Sequence, residues 1–141
     1  MEAIGIILDR DSVCMADDCF SHKKTIDVNK KMKFKDFILY FLKLPVEKSY
    51  TEKGLIEKHI EIFPHISGGH ATWILKIRKD YKDICNLAVI AQQWQEPKLL
   101  VDNVQIGELV ADYNSNEFFM KYLCQTDPEE IYNELIIDHT L

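Results

Sequence analysis

No stretch of this sequence approaches the roughly 18 consecutive apolar residues that a membrane-spanning helix requires, so no membrane partner is expected. There is no Gly-x-Gly-x-x-Gly turn and no phosphate-binding P-loop. The Gly-x-Ser-x-Gly turn of an activated serine is missing too, so no nucleophile elbow is on offer. The first residues, Met1-Glu2-Ala3-Ile4-Gly5, put an acid where a secretory signal is basic. No export signal is read there, and a cytoplasmic protein is expected. Internal repeats, low-complexity tracts and long linkers are also lacking, so residues 1–141 read as a single domain.

What is present is enough apolar material, 47% of residues, for a real core. Ala71 to Ile77, with Trp73 and Leu75, and Leu87 to Ala91 form two β-rich runs flanking the charged stretch Arg78, Lys79, Asp80, Lys82, Asp83. Each run is apolar at odd and even positions, which predicts adjacent antiparallel strands at the centre of a sheet covered on both faces. Ser67-Gly68-Gly69-His70 is the turn that leads into them.

Around that pair, Ala3 to Leu8 is β-branched and predicts a first strand, with Val13 to Ala16 as its hairpin return after Asp9-Arg10-Asp11-Ser12. Lys24 to Val28 alternates as an edge strand does, its lysines discouraging edge-to-edge pairing. Phe34, Phe37, Ile38, Phe41 and Leu42 stand at helical spacing ahead of Pro45. Val46 to Tyr50 reads as loop. Leu55, Ile56, His59, Ile60 and Phe63 then predict a second helix over Thr51 to Phe63, despite Gly54. Leu99 to Val101 is a further apolar run, Ile106 to Ala111 a short helical or irregular piece, and Glu117 to Gln125 a strand. Asp127 as cap, Pro128 at the first helical position and Glu129-Glu130 in the first turn start a terminal helix. The fold expected is α+β. It has a mostly antiparallel sheet of about five or six strands, two or three helices packed on it and a β-grasp-like N-terminal start.

Charge is unevenly spread. His22 to Lys35 holds six lysines against Asp27, whereas Gln95 onward holds ten carboxylates against Lys98 and Lys121. An acidic domain of net charge −6 binds nucleic acid poorly, because phosphate contacts dominate that affinity, and suits a basic protein partner instead. Glu108, Asp112, Glu117, Glu129, Glu130 and Glu134 are the candidate contact carboxylates. Trp94, after Gln92-Gln93, either serves as their aromatic anchor or caps the core at a strand end.

The competing chemistry is a small enzyme or metal-dependent module. Cys14, Cys19 and His22, with Asp17 and Asp18 between them, have the spacing of half a zinc site. A second knuckle is missing, so no metal and no cofactor are expected. Cys85 and Cys124 are expected as small buried hydrophobes. Histidines 59, 65 and 70 gather near Gly68-Gly69, but an activated Cys–His pair needs a reach that sequence does not show. In size, acidity and lack of a catalytic motif the chain is similar to bacterial immunity proteins. That likeness implies a non-enzymatic inhibitor of a basic partner such as a toxin.

Overall fold

The computed structural model describes residues 2–11, 23–42, 47–51, 54–58 and 70–140. In chain order its elements are β1 (Ala3–Arg10), β2 (Lys24–Asn29), α1 (Phe34–Phe41), β3 (Glu47–Thr51), β4 (Gly54–Lys58), β5 (Thr72–Lys79), β6 (Lys82–Ala91), β7 (Lys98–Leu99), α2 (Ile106–Tyr113), β8 (Glu117–Tyr122) and α3 (Pro128–Thr140). Six strands make one sheet in the order β2-β1-β8-β5-β6-β7, and β3 and β4 pair separately. The expected α+β fold is present. The sheet is mixed: β1 and β8 run parallel, and the other pairs are antiparallel. Among the described residues, β8 is the strand that joins β2-β1 to β5-β6-β7.

The central pair forms as the apolar runs predict, with Trp73 opposite Ile90 and Leu75 opposite Ala88. The charged stretch between them is not a connector, however. Both strands run through it to a turn at Asp80 and Tyr81, whose φ angles of 52° and 65° are those of a type I′ hairpin turn. Register shifts leave Ile84 and Leu87 as extra residues on β6. Such bulges bend a strand and spoil it as a template for further pairing.

Alternation explains the core. Ile6, Leu8, Trp73, Leu75, Ile77, Phe118 and Met120 point to one face, where Phe34, Phe37, Ile38 and Phe41 of α1 and Ile106 and Leu109 of α2 cover them. The Phe37 ring meets those of Phe41 and Phe118 at 5.2 and 5.4 Å between centroids. Ile74 and Val89 have the opposite parity and are also buried, so the sheet is covered on both sides. α3 lies against β6 on that second side. Lys98, which pairs with Val89 and so shares its face, bonds to Glu129 of α3.

Both helices on the core face begin without a side-chain cap from their own N-cap residues, Lys33 and Gln105. Instead the Phe34 N–H donates to the Val104 carbonyl at 2.8 Å, and the Ile106 N–H to Met32 at 2.7 Å. Asn103 Oδ1 accepts from the Lys35 N–H at 2.9 Å.

Three expectations need correction. Val46 to Tyr50 is not a loop, because Glu47–Thr51 is β3. The second helix is replaced at its start by β4, which pairs with β3 so that Glu47 stands opposite Lys58 and Lys48 opposite Glu57. Gly54 weakens a helix by about 1 kcal/mol there, and residues 54–58 pair with 47–51 instead. Cysteine burial is the third: Cys85 is half-buried and Cys124 exposed. The strand ends at Tyr122, and Cys124 has a φ of 57°, which takes it off the strand's face. The predicted hairpin return Val13 to Ala16, the Gly68-Gly69 turn and the remainder of the second helix lie outside the described residues.

Candidate functional site

α3 starts as its sequence dictates. Asp127 Oδ1 accepts from the Glu129 N–H at 3.1 Å, Pro128 takes the first helical position, and the Asp127 carbonyl receives the Ile131 N–H. The turn after β6 is held just as firmly. Gln92 exchanges bonds with Ala71, through its own N–H and through Oε1, and the Trp94 N–H donates to the Ala91 carbonyl. Gln93 Oε1 sits 2.9 Å from His70 Nδ1. β7 then returns along β6 and points Lys98 towards α3.

These three pieces converge on one ammonium group. Lys98 Nζ lies 2.7 and 2.9 Å from the two carboxylate oxygens of Glu129. It also stands 4.6 Å from the Trp94 ring centroid and 5.2 Å from that of Tyr132. Trp94 and Tyr132 are half-buried, and Trp94 is not part of the main core. Glu130 and Glu134 follow on the same helix, exposed and without an ion pair among the described residues.

The other predicted carboxylates are elsewhere. Glu108 and Asp112 are exposed on α2, on the core-face side of the sheet, and likewise form no ion pair among the described residues. Glu117 is half-buried at the start of β8. It lines a small cleft with Asp9, Lys23, Arg78, Tyr81 and Phe119, whose enclosed space of about 30 Å³ holds a water or two. The structure therefore brings Trp94, Glu129, Glu130 and Glu134 to one region and leaves Glu108, Asp112 and Glu117 apart from it. The lysine run is partly answered by carboxylates, Lys30 by Glu2 and Lys35 by Glu96.

Beside the cleft, Asp83 accepts from Lys76 Nζ at 3.0 Å and Arg78 Nε at 2.6 Å, and the Arg78 guanidinium stacks 3.4 Å from the Phe119 ring centroid. Burial pushes the Asp83 carboxyl up, but those hydrogen bonds and charges outweigh it and hold it below its ordinary range. On the core face, Tyr113 Oη donates to Cys85 Sγ at 3.4 Å. That bond, with burial and the charge of Asp112, pushes the phenol up to about 12.

Lys98 and Tyr132 are the residues that sequence reasoning missed. Lys98 was countable as one of two lysines in an acidic third, but Tyr132 meets it only because α3 folds back over β7. Cys14, Asp17, Asp18, Cys19, His22, His59 and His65 lie outside the described residues. Among the described residues, no group of three or more His, Cys, Asp or Glu could hold a metal ion, and no helix is long and apolar enough to cross a membrane. Compared with known protein families, with curated proteins and with solved structures, the chain matches none of them.

Proposed function

We propose that this chain is a non-enzymatic binding module, a small acidic cytoplasmic protein of the immunity or inhibitor type that captures a basic protein partner. Its contact surface centres on α3. The observation that carries this reading is the pair Glu130 and Glu134, one helical turn apart, exposed and without a cation among the described residues. Like charges at that spacing destabilise a helix by about 0.2–0.5 kcal/mol. A penalty of that kind is expected where an external cation relieves it. Tyr132 on the same helix and Trp94 beside it supply the rigid aromatic surface that binding hot spots favour. Glu108 and Asp112 form a similar pair on α2, but across the sheet, so a single flat contact does not use both.

Charge reversal tests this. The double variant Glu130→Lys/Glu134→Lys leaves the Asp127 cap in place and lowers the melting temperature slightly, because Glu130 is a first-turn acid, but it stays folded. Co-expressed with the product of the adjacent reading frame, the wild type should form a complex whose association slows as salt rises. The double variant should associate more slowly at low salt. Equal rates for the two proteins would remove α3 from the interface.

A further inference from the structure

We propose that Trp94, Tyr132 and Glu129 form a receptor for the side-chain ammonium of a lysine on a partner protein, and that the chain's own Lys98 occupies it in the unbound state. Only the ownership of the incoming lysine rests on the binding-module reading; the receptor is argued from its own geometry. Two aromatic rings and a carboxylate surround Lys98 Nζ, the rings at 4.6 and 5.2 Å and both Glu129 oxygens within 2.9 Å. Aromatic faces attract a cation through their quadrupole, and the carboxylate adds charge-assisted hydrogen bonds. Both oxygens accept from the same nitrogen. The site therefore selects an ammonium that carries N–H donors, and a quaternary nitrogen has none to give.

The backbone under the three walls is placed without Lys98: the Trp94 main-chain N–H donates to Ala91, the Glu129 main-chain N–H to Asp127 Oδ1, and Tyr132 follows in the helix which that cap begins. The Lys98–Glu129 pair is open to solvent, with side chains 40% and 52% exposed, so the ammonium can leave by rotation about the flexible lysine stem. Exposed ion pairs and cation–π contacts are individually weak, which makes an intramolecular occupant displaceable. An incoming lysine restores every contact that Lys98 gives up, and the freed Lys98 remains available to an acidic group on the same partner.

The test needs no partner. The probe is Nα-acetyl-lysine methylamide, titrated while the Trp94 indole N–H is followed by NMR, with Trp73, buried in the core, as the internal reference. Lys98→Ala should bind the probe about tenfold more tightly than wild type, the factor expected if Lys98 fills the site some nine-tenths of the time. The trimethyl-lysine analogue should bind Lys98→Ala more weakly than the primary amine. Adding Trp94→Leu or Glu129→Gln to Lys98→Ala should abolish the response. In wild type, high probe concentration should also shift the Lys98 ε-methylene signals, a readout that stands even if the alanine variant does not fold. A folded Lys98→Ala no tighter than wild type, or binding that survives Trp94→Leu, overturns the proposal. Failure of the Glu130/Glu134 reversal to slow a partner would leave this receptor untouched, so the two readings fail separately.

Discussion

Lys33 and Gln105, the residues immediately before α1 and α2, pair with each other across a single antiparallel bridge, so that each helix start serves as the other's cap. Backbone carbonyls supply what side chains usually do at such ends: Val104 receives the Phe34 N–H, and Met32 and Lys30 receive those of Ile106 and Gly107. Lysines at the start of α1 oppose the helix dipole, and this exchange of backbone bonds compensates for them.

The shared cap should be sensitive to two substitutions outside the sheet. Asn103→Ala removes the acceptor for the Lys35 N–H and should cost about 1 kcal/mol in urea unfolding. At Gly107 an added Cβ would meet the Lys30 Cβ and carbonyl oxygen at 3.0 Å, and that carbonyl is held in place by the Gly107 N–H. Alanine gains helix propensity there, yet the contact should outweigh it, leaving Gly107→Ala less stable by about 1–3 kcal/mol. A stabilised Gly107→Ala would show that the two helix starts are free to separate.

Phe37 is fully buried, with the rings of Phe41 and Phe118 against it. Replacing it by Ala should cost about 3–5 kcal/mol, measured as a lower denaturation midpoint with little change in slope.

Asp83 gives a pH signature. A carboxyl held below its unfolded value, near 3.8, stabilises the fold above that pH and loses the contribution as pH falls through the folded value. Asp83 is about half exposed, so Asp83→Asn should cost no more than about 1 kcal/mol at neutral pH. The gap between variant and wild type should close in acid. A gap that persists below the carboxylate range would mean that the hydrogen bonds, not the charge, hold the hairpin.

Tyr113 works in the other direction. A phenol pushed up to about 12 keeps its full contribution below pH 10 and loses it as pH rises through about 12. Ultraviolet titration should find a tyrosine that ionises near 12, and Cys85→Ala should move it back towards 10, without reaching it because burial remains. No movement would take the thiol out of the account.

How much of this was legible beforehand depended on how local each signal is. The Phe34–Phe41 helix, the central strands and the Asp127-Pro128 start are written in neighbouring residues, and the structure has all three. The stretch after Tyr50 misleads because Leu55, Ile56 and Ile60 suit a helix by spacing, whereas pairing of 54–58 with 47–51 lies across a turn that spacing does not encode. The acidic third reads as one patch along the chain. Consecutive elements α2, β8 and α3 then cross the sheet, so Glu108 and Glu130 end on opposite sides of it. The ring of Trp94, Tyr132 and Glu129 about Lys98 depends on that same crossing.

The place of β8 sets a timetable for folding. On one side it pairs with β1, more than a hundred positions earlier, and on the other with β5. Until residue 122 has left the ribosome, the β1–β2 and β5–β6 hairpins have no shared strand to join them. Each can form locally and quickly, but neither can complete the common core. Until then the two halves of the sheet lack the strand that joins them. Pairing of this one strand along both of its edges then joins the two halves in one step, and the apolar surface exposed before that step is where a chaperone would act.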